Sequence, residues 1–320
     1  MTSDDLTKFQ SQRGRMFGIA YRMLGSASEA EDVVQDAWLR WQAADRESVT
    51  EVGAYLAKVV TNLCLTVLDS ARVRRETYPG PWLPEPVLTT TLSTKPSQAA
   101  QVQPISGQDA GLLPLDDIQQ RDTVSLALLS LLERLSPAER AVYVLREAFA
   151  YSPRDIATIL DLGEANVRQL HTRARKHVTA EPIREVDRAE LTELVEAFLG
   201  AARRGDLIAL EHLLAEDIVT RADGGGIVNA ARRPVFGRDN VARYTLGVIE
   251  KFGAGVTAHV VEANGQPAVL AMLGEQVSAV WFLQVRAGQI DGIQMVVNPE
   301  KLRFVAGQLS QIGGTSGLSM

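Results

Sequence analysis

The sequence has a single cysteine, Cys64, in 320 residues. That excludes an internal disulfide framework and a cysteine-rich zinc site, and leaves Cys64 the role of a small buried apolar residue. No stretch approaches the ~18 to 20 uninterrupted apolar residues of a membrane span. The opening MTSDDLTKFQ is polar and acidic where a secretory signal needs a basic end and an apolar run, so a cytoplasmic protein without membrane contact is expected. A basic excess is lacking too, the net charge being −6. The balance is uneven, however: residues 121–180 hold 9 Lys+Arg against 7 Asp+Glu, whereas 181–320 hold 13 against 17. Any contact with a polyanion is therefore confined to particular helices, and the acidic C-terminal part suits a protein or a small molecule. No metal-ligand cluster and no paired acid and base are visible, so neither cofactor nor metal is expected.

What is present begins with residues 152 to 178, SPRDIATILDLGEANVRQLHTRARKHV. Ser152 caps a helix with Pro153 at its first position, and Ile156, Ile159 and Leu160 give one apolar face. Asp161, Leu162 and Gly163 form the turn. In the second helix Val167, Leu170, Ala174 and Val178 share one side, while Ala165, Arg168, Gln169, Thr172 and Lys176 share the other, flanked by Arg175. A helix packed by its apolar side presents the second set outward, where Arg and Gln can read base edges in a major groove and Lys can hold phosphates. A solvated helix hairpin with a basic outer face fits the same pattern.

At 320 residues the chain suits two or three modules. Residues 4 to 25 read as an amphipathic helix ended by Gly25. Ser28 and Glu31 have the spacing of a capping box for a second helix, with Val33, Val34, Ala37, Trp38 and Trp41 on its buried face. Glu29, Glu31, Asp32, Gln35 and Asp36 collect on the other side. They form either a solvated face favoured by the helix dipole or a docking surface for a basic partner. A third helix, 52 to 71, carries Lys58, Thr61, Asn62 and Thr66 outward and ends in Arg72, Arg74 and Arg75; these arginines suit a DNA backbone or simply complement the dipole. From 77 to about 119 the helical period vanishes into a Pro/Thr/Ser/Gln/Gly linker. Its ~40 residues reach up to roughly 130 Å at ~3.3 Å each. One island in it, Trp82, Leu83, Pro84, Glu85 and Pro86, is too apolar for a free tether and is expected to dock elsewhere on the chain. A helix at 121 to 135 and a capping box at Ser136 to Glu139 lead into the helix pair, making one four-helix domain of 121–178.

These residues carry a family resemblance across about the first 180 positions. The run from Phe9 to Gly25, then EAEDVVQDAWLR from Glu29 and AYLAKVVTNLCL from Ala54, resembles region 2 of bacterial sigma factors of the extracytoplasmic-function class. LSPAERAVYVLREAFAYSPRDIATILDLGEANVRQLHTRAR, from Leu135, is similar to their region 4. The resemblance implies a promoter-specific initiation factor whose partners are core RNA polymerase, at its beta-prime clamp and beta flap, and promoter DNA. It implies that Glu31, Asp32, Gln35 and Asp36 meet the polymerase, that Asn62 with Arg72, Arg74 and Arg75 engages the −10 element, and that Ala165, Arg168, Gln169, Thr172, Arg175 and Lys176 face the −35 element. Two positions depart from the family: Thr66 stands where an acid is usual and Asp69 where an arginine is usual, which implies weaker strand separation at −10.

The third module, 187–320, reads as helices at about 187–202 and 207–214, an extended piece ending at Arg221, the run Asp223, Gly224, Gly225, Gly226, a helix at 240–252, and strands at 256–261, 268–273, 277–285 and 290–297. Helices followed by a curved antiparallel sheet give an α+β cone. The glycine run is read as a turn, since it lacks the Lys-Ser/Thr of a phosphate loop. The module resembles the SnoaL-like, nuclear-transport-factor-like cones, so the whole chain resembles the branch of extracytoplasmic-function sigma factors with such a domain at the C-terminus. The stretch Trp82 to Pro86, the stretch Asp223 to Gly226, and Asn298, Pro299, Glu300, Lys301 and Leu302 carry that likeness. Ile227 stands where the branch has a basic residue.

The expected organisation is therefore multidomain: region 2 at 1–76, the linker at 77–120, region 4 at 121–180 and the cone at 187–320. The resemblance implies that the cone modulates activity in place of an anti-sigma factor. A cone that binds a small molecule, or acts as a cyclase or isomerase, fused to a DNA-binding regulator is the alternative. Asp223, His259 and Glu275 are its only loose candidates for a general base, no acid–base pairing accompanies them, and no enzymatic activity is expected.

Overall fold

The structure, a computed structural model, describes residues 3–45, 49–90, 124–179 and 188–313; the side chains at 3, 4, 71–76, 90, 312 and 313 lie outside that description. The described residues fall into two compact units, one within Met1–Thr77 and Leu113–Ile183, the other within Tyr78–Leu112 and Arg184–Met320.

The first unit is all helical. Helices α1 (Ser3–Leu24), α2 (Ala27–Ala43) and α3 (Val52–Glu76) pack together. Gly25 takes φ 66 and ends α1, and Ser26 then caps α2, its Oγ accepting from Glu29 N at 3.1 Å. The cap is thus Ser26 and not the expected Ser28, because the pattern Ser-x-x-Glu also fits 26–29 and the chain turns at once after the glycine. Met16, Tyr21, Leu24, Val33, Ala37, Trp41, Leu56 and Cys64 are buried where the three helices meet. The Trp41 indole also donates from Nε1 to Asp5 O at 3.2 Å, so its one polar atom is satisfied. Among the described residues one stretch, Val52–Ser70 of α3, is long and apolar enough on average to cross a membrane. It packs instead against α1 and α2, and Lys58, Asn62 and Thr66 interrupt its apolar run. Thr61, expected to face outward, is fully buried, since the packed face of α3 is wider than the apolar stripe suggests.

The same unit continues with α4 (Leu126–Leu132), α5 (Pro137–Tyr143), a π-helical turn at Val144–Ala148, α6 (Pro153–Leu160) and α7 (Glu164–Thr179). Helix α4 is shorter than the expected 121–135, because Ser125 caps it by accepting from Leu128 N at 3.2 Å. Ser136 with Glu139 and Ser152 with Asp155 each form a reciprocal capping box. The turn between α6 and α7 is closed by Asp161 in the left-handed region at φ 53, a conformation its short polar side chain tolerates.

The second unit stacks α8 (Arg188–Arg204), α9 (Leu207–Leu213) and α10 (Arg238–Phe252) on one face of a seven-stranded sheet. Its strands are β1 (Leu88–Thr90), β2 (Leu214–Asp223), β3 (Val235–Phe236), β4 (Val256–Ala263), β5 (Gln266–Leu273), β6 (Gln276–Arg286) and β7 (Gln289–Val296), in the order β1-β4-β5-β6-β7-β2-β3. Strands β4 to β7 form an antiparallel meander, but β2 pairs with β7 in parallel, so the sheet is mixed and not wholly antiparallel. Phe198, Trp281, Leu283, Ile293 and Met295 fill the core on this face. The opposite face carries Leu270, Val280, Phe282 and Val296, alternate in register with the first set and also buried. It is covered by a helix with no sequence expectation, α11 (Pro299–Gly313), which packs across β6. The linker island lies in this unit too, and β1 pairs with β4 at the sheet edge.

Ser152→Ala removes the acceptor for Asp155 N, now at 3.1 Å, at the start of α6. It is expected to cost about 1 kcal/mol in urea unfolding, within the usual range for a lost N-cap.

Candidate nucleic-acid interface and linker clasp

Helix α7 separates its two faces cleanly. Val167, Leu170, Ala174 and Val178 are buried, and Ala165, Arg168, Gln169, Thr172, Arg175 and Lys176 are all exposed. Arg168 is the one of the six in a described ion pair, Nη2 lying 2.8 Å from Glu164 Oε2 one turn back. Such an exposed pair holds little energy and releases the guanidinium readily. Thr172 Oγ1 donates to Arg168 O at 2.9 Å, which leaves the hydroxyl oxygen as an acceptor toward solvent. On the inner edge His171 Nε2 lies 2.6 Å from Glu147 Oε1, tying α7 to the π-helical turn. Burial of the nearby Tyr143, helped by the charge of Glu147, pushes its phenol up to about 12.

On α2, Asp32, Gln35 and Asp36 are exposed, whereas Glu31 is half-buried and paired with Arg13 at 2.6 Å. Leu39 continues the same face one turn on and is 56% exposed, an apolar residue the acidic pattern concealed. On α3, Asn62 is half-buried and Thr66 and Asp69 are exposed. The side chains of Arg72, Arg74 and Arg75 lie outside the described residues, although their backbone continues α3. Lys58 turns to the helix pair, donating to Asp161 Oδ1 at 2.8 Å and Thr158 O at 3.2 Å. Arg22 lies over the Phe149 ring at 5.2 Å and Arg15 over Tyr151 at 4.8 Å. Arg140 Nη1 donates to Met23 O at 2.7 Å. Burial lowers Arg22 and Arg140 each to about 10, which still leaves both charged near neutrality.

In the second unit the three singled-out stretches meet. Asp223, fully buried at the end of β2, accepts from Tyr78 Oη at 2.5 Å and Gly225 N at 3.1 Å through Oδ1, and from Leu83 N at 2.8 Å and Lys301 Nζ at 2.7 Å through Oδ2. Lys301 also donates to Leu83 O, and its ammonium lies 4.0 Å from the centroid of the Trp82 ring and 4.9 Å from that of Tyr78. Asn298 donates to Tyr78 Oη at 3.0 Å. Burial and the Asp223 carboxylate together raise the Tyr78 phenol above its ordinary range. Gly225 sits at φ 62 where a Cβ would collide with Asn298, which explains the glycine. Pro84, Glu85, Pro86 and Leu302 are buried here as well, whereas Pro299 and Glu300 are exposed at the start of α11.

Tyr78, Asn264, Glu262 and Gln308 were not legible as part of this cluster. Asn264, at φ 51, accepts from Val87 N at 3.0 Å; Gln308 accepts from Leu88 N at 2.8 Å and returns a bond to Leu88 O at 3.1 Å; Glu262 accepts from Thr89 Oγ1 at 3.1 Å. The three loose candidates for a general base do not converge. Asp223 is held in the clasp, His259 is exposed beside Thr257, and Glu275 is exposed in a hairpin turn. Among the described residues no group of three or more His, Cys, Asp or Glu stands together as a metal site.

Residues 9–74 match the family described as Sigma-70 region 2, and residues 125–178 that described as Sigma-70, region 4. The chain is 34% identical over 313 residues to the ECF RNA polymerase sigma factor SigJ of Mycobacterium tuberculosis, covering 93% of each chain. It is 31% identical over 297 residues to the probable ECF RNA polymerase sigma factor SigI of the same organism, covering 92% of this chain and 93% of that one. The crystal structure of the M. tuberculosis extracytoplasmic function sigma factor SigJ superposes with a TM-score of 0.70 at 30% identity, over 93% of this chain and 98% of that one. The chain belongs to the extracytoplasmic-function RNA polymerase sigma factors. It therefore binds core RNA polymerase and promoter DNA to initiate transcription, in a family that is not enzymatic.

Asp223→Ala strands the Lys301 ammonium in a buried place, since the two side chains are 0% and 8% exposed. The second unit is expected to lose about 3–5 kcal/mol, as when one partner of a buried pair is removed. Urea unfolding followed by amide exchange in β5 and β6, strands of the second unit, checks it, and a loss under ~1 kcal/mol would show that the pair is solvated.

Proposed function

We propose that four segments divide the work: 1–76 as region 2, 77–120 as linker, 121–180 as region 4 and 187–320 as a regulatory domain, all acting in the cytoplasm. Region 2 meets the beta-prime clamp through Glu31, Asp32, Gln35 and Asp36, with Leu39 extending the face. Asn62 with Arg72, Arg74 and Arg75 engages the −10 element. Region 4 meets the beta flap and reads the −35 element through Ala165, Arg168, Gln169, Thr172, Arg175 and Lys176. The observation that carries this reading is α7: six polar or small residues exposed on one side and four apolar residues buried on the other. Arg168 and Gln169 are the base readers, and Arg175 and Lys176 hold phosphates.

In this reading Arg168→Ala relaxes preference at the upstream element, costing ~1 to 3 kcal/mol at the cognate base pair. Lys176→Ala instead weakens binding at all sequences about equally and lowers the salt slope by about 1. Titrating promoter variants at several salt concentrations separates the two; identical behaviour of both variants would mean that α7 is mis-oriented.

The cone is proposed to modulate initiation in place of an anti-sigma factor, through Trp82 to Pro86, Asp223 to Gly226 and Asn298 to Leu302. Its support is the clasp, which anchors a linker between two DNA-binding modules to a third domain. A second reading, a small molecule in the cone, is favoured by Thr220 Oγ1 and Trp281 Nε1. Both are buried without a hydrogen-bond partner on the face of the sheet under α8, α9 and α10.

For the regulatory reading, Trp82→Ala removes the ring over Lys301 and is expected to change in vitro transcription with core polymerase and to speed protease cutting of the linker, while leaving the DNA preference of residues 121–180 intact. Wild-type transcription together with wild-type proteolysis would remove its main support.

A further inference from the structure

We infer that the C-terminal domain is a peptide receptor whose groove is filled in cis by residues 78–90, and that this segment is a detachable ligand and not a part of the domain's own fold. The inference deepens the regulatory reading, and its test reads peptide binding alone, so that it can fail while the transcriptional effect of Trp82 stands.

The first ground is the position of the cores. The core under α8, α9 and α10 contains no residue of 78–90. The segment lies over the opposite face and at the sheet edge, so its departure leaves the main core closed. The second ground is the way the segment is held. Only Leu88 and Thr90 have strand partners in β4, with an irregular register between them. Most of its remaining main-chain bonds go to side chains: Leu83 to Asp223 and Lys301, Val87 to Asn264, and both groups of Leu88 to the Gln308 amide. Fixed side chains that satisfy the amides and carbonyls of an extended peptide, with a strand added at a sheet edge, are the pattern of peptide recognition by β-augmentation.

The third ground is the chemistry of selection. Leu83, Val87 and Leu88 are buried as anchors, and Trp82 lies on the Lys301 ammonium. Pro84 and Pro86 hold the backbone extended and carry no amide that would be left unbonded in the groove. The groove therefore fits an extended peptide of the type aromatic-Leu-Pro-Glu-Pro-Val-Leu, with the Glu85 position buried as well. Its chosen occupant is the cis segment, which a tether presents at roughly millimolar effective concentration.

The test uses the full chain. In one variant, Trp82→Ala with Leu83→Ala, the cis ligand is weakened and the groove walls are untouched. A fluorescein-labelled peptide with the sequence of residues 78–90 is titrated against wild type and variant by anisotropy. The variant is expected to bind it at least ten-fold more tightly than wild type, because competition in cis is gone. A peptide carrying the same two alanines does not bind, and adding Lys301→Met to the variant lowers affinity at least ten-fold. Equal affinity of wild type and variant, or equal binding of the alanine peptide, overturns the inference. A variant that self-associates and takes up no peptide assigns the groove to a second copy and overturns it as well. A measurement on wild type alone guards against a variant that does not fold. Amide exchange at Leu83, Val87 and Leu88 is expected to be at least a hundred-fold faster than at Val269 and Leu283 in the central strands, and exchange of both sets at one common rate overturns the inference.

Discussion

The ion pair between Asp223 and Lys301 is the constraint on which the second unit's outer layer depends. Two charges taken from water lose their hydration, and their attraction alone does not restore it unless every remaining donor and acceptor is satisfied. Here the carboxylate receives four donors, and the ammonium has a carboxylate, a carbonyl and two aromatic rings. Such a cluster adds less net stability than apolar packing of the same volume would. What it supplies is selection. Only one alignment of the chain brings the Tyr78 hydroxyl, the Trp82 ring and both main-chain groups of Leu83 to these two side chains together, so a shift of one residue leaves the ion pair with fewer of its supporting donors and acceptors.

The first unit is held differently. Lys58 and Asp161 are 38% and 77% exposed, so their attraction is weak and falls further with salt. Elsewhere in the unit Gly18 of α1 leaves room for the Phe149 ring, which a Cβ would press at 3.2 Å. On the proposed assignment Lys58 lies one turn from Asn62 on the helix that engages the −10 element, and Asp161 closes the turn before the −35 helix. A contact between these two positions has to be weak enough to part, because both surfaces are needed on DNA. Arg22 and Arg140 are buried and make contacts that salt screens less, Arg140 to Met23 O and Glu133 and Arg22 to the Phe149 ring.

Sequence periodicity located the described α-helices of the first unit, though not the π-helical turn or the short length of α4, and it located the exposed face of α7, because amphipathic helices write their burial directly into a period of 3.6. It was less informative in three places, each for a physical reason. Two serines near Gly25 both fit a capping box, and only the turn geometry chose Ser26. Thr61 looks polar in sequence, but its position on a helix packed on several sides decides its burial. Strand β6, VSAVWFLQV, is apolar on both faces and so has no alternation from which an inner side could be assigned. The clasp was legible as three separate stretches. Its remaining members, Tyr78, Asn264, Glu262 and Gln308, carry no local pattern, because their roles are set by partners more than a hundred residues away.

That double-sided burial also explains why the linker island is apolar. A cone with helices on one face leaves the other face of the sheet to be covered, and Leu270, Val280, Phe282 and Val296 are too large an apolar surface to leave in water. Helix α11 covers part of it, and Leu83 and Leu88, whose main chains bond to Lys301 and Gln308 of that helix, are buried with Val87. The edge of β4 would also be an open template for another strand, and β1 closes it. The segment that joins the two sigma modules is thus one occupant of that face and edge, which accept a strip of chain that is extended and apolar. Regulation through the linker needs no additional interface, because any ligand or partner that changes how firmly the strip is held also changes the free length of chain between regions 2 and 4.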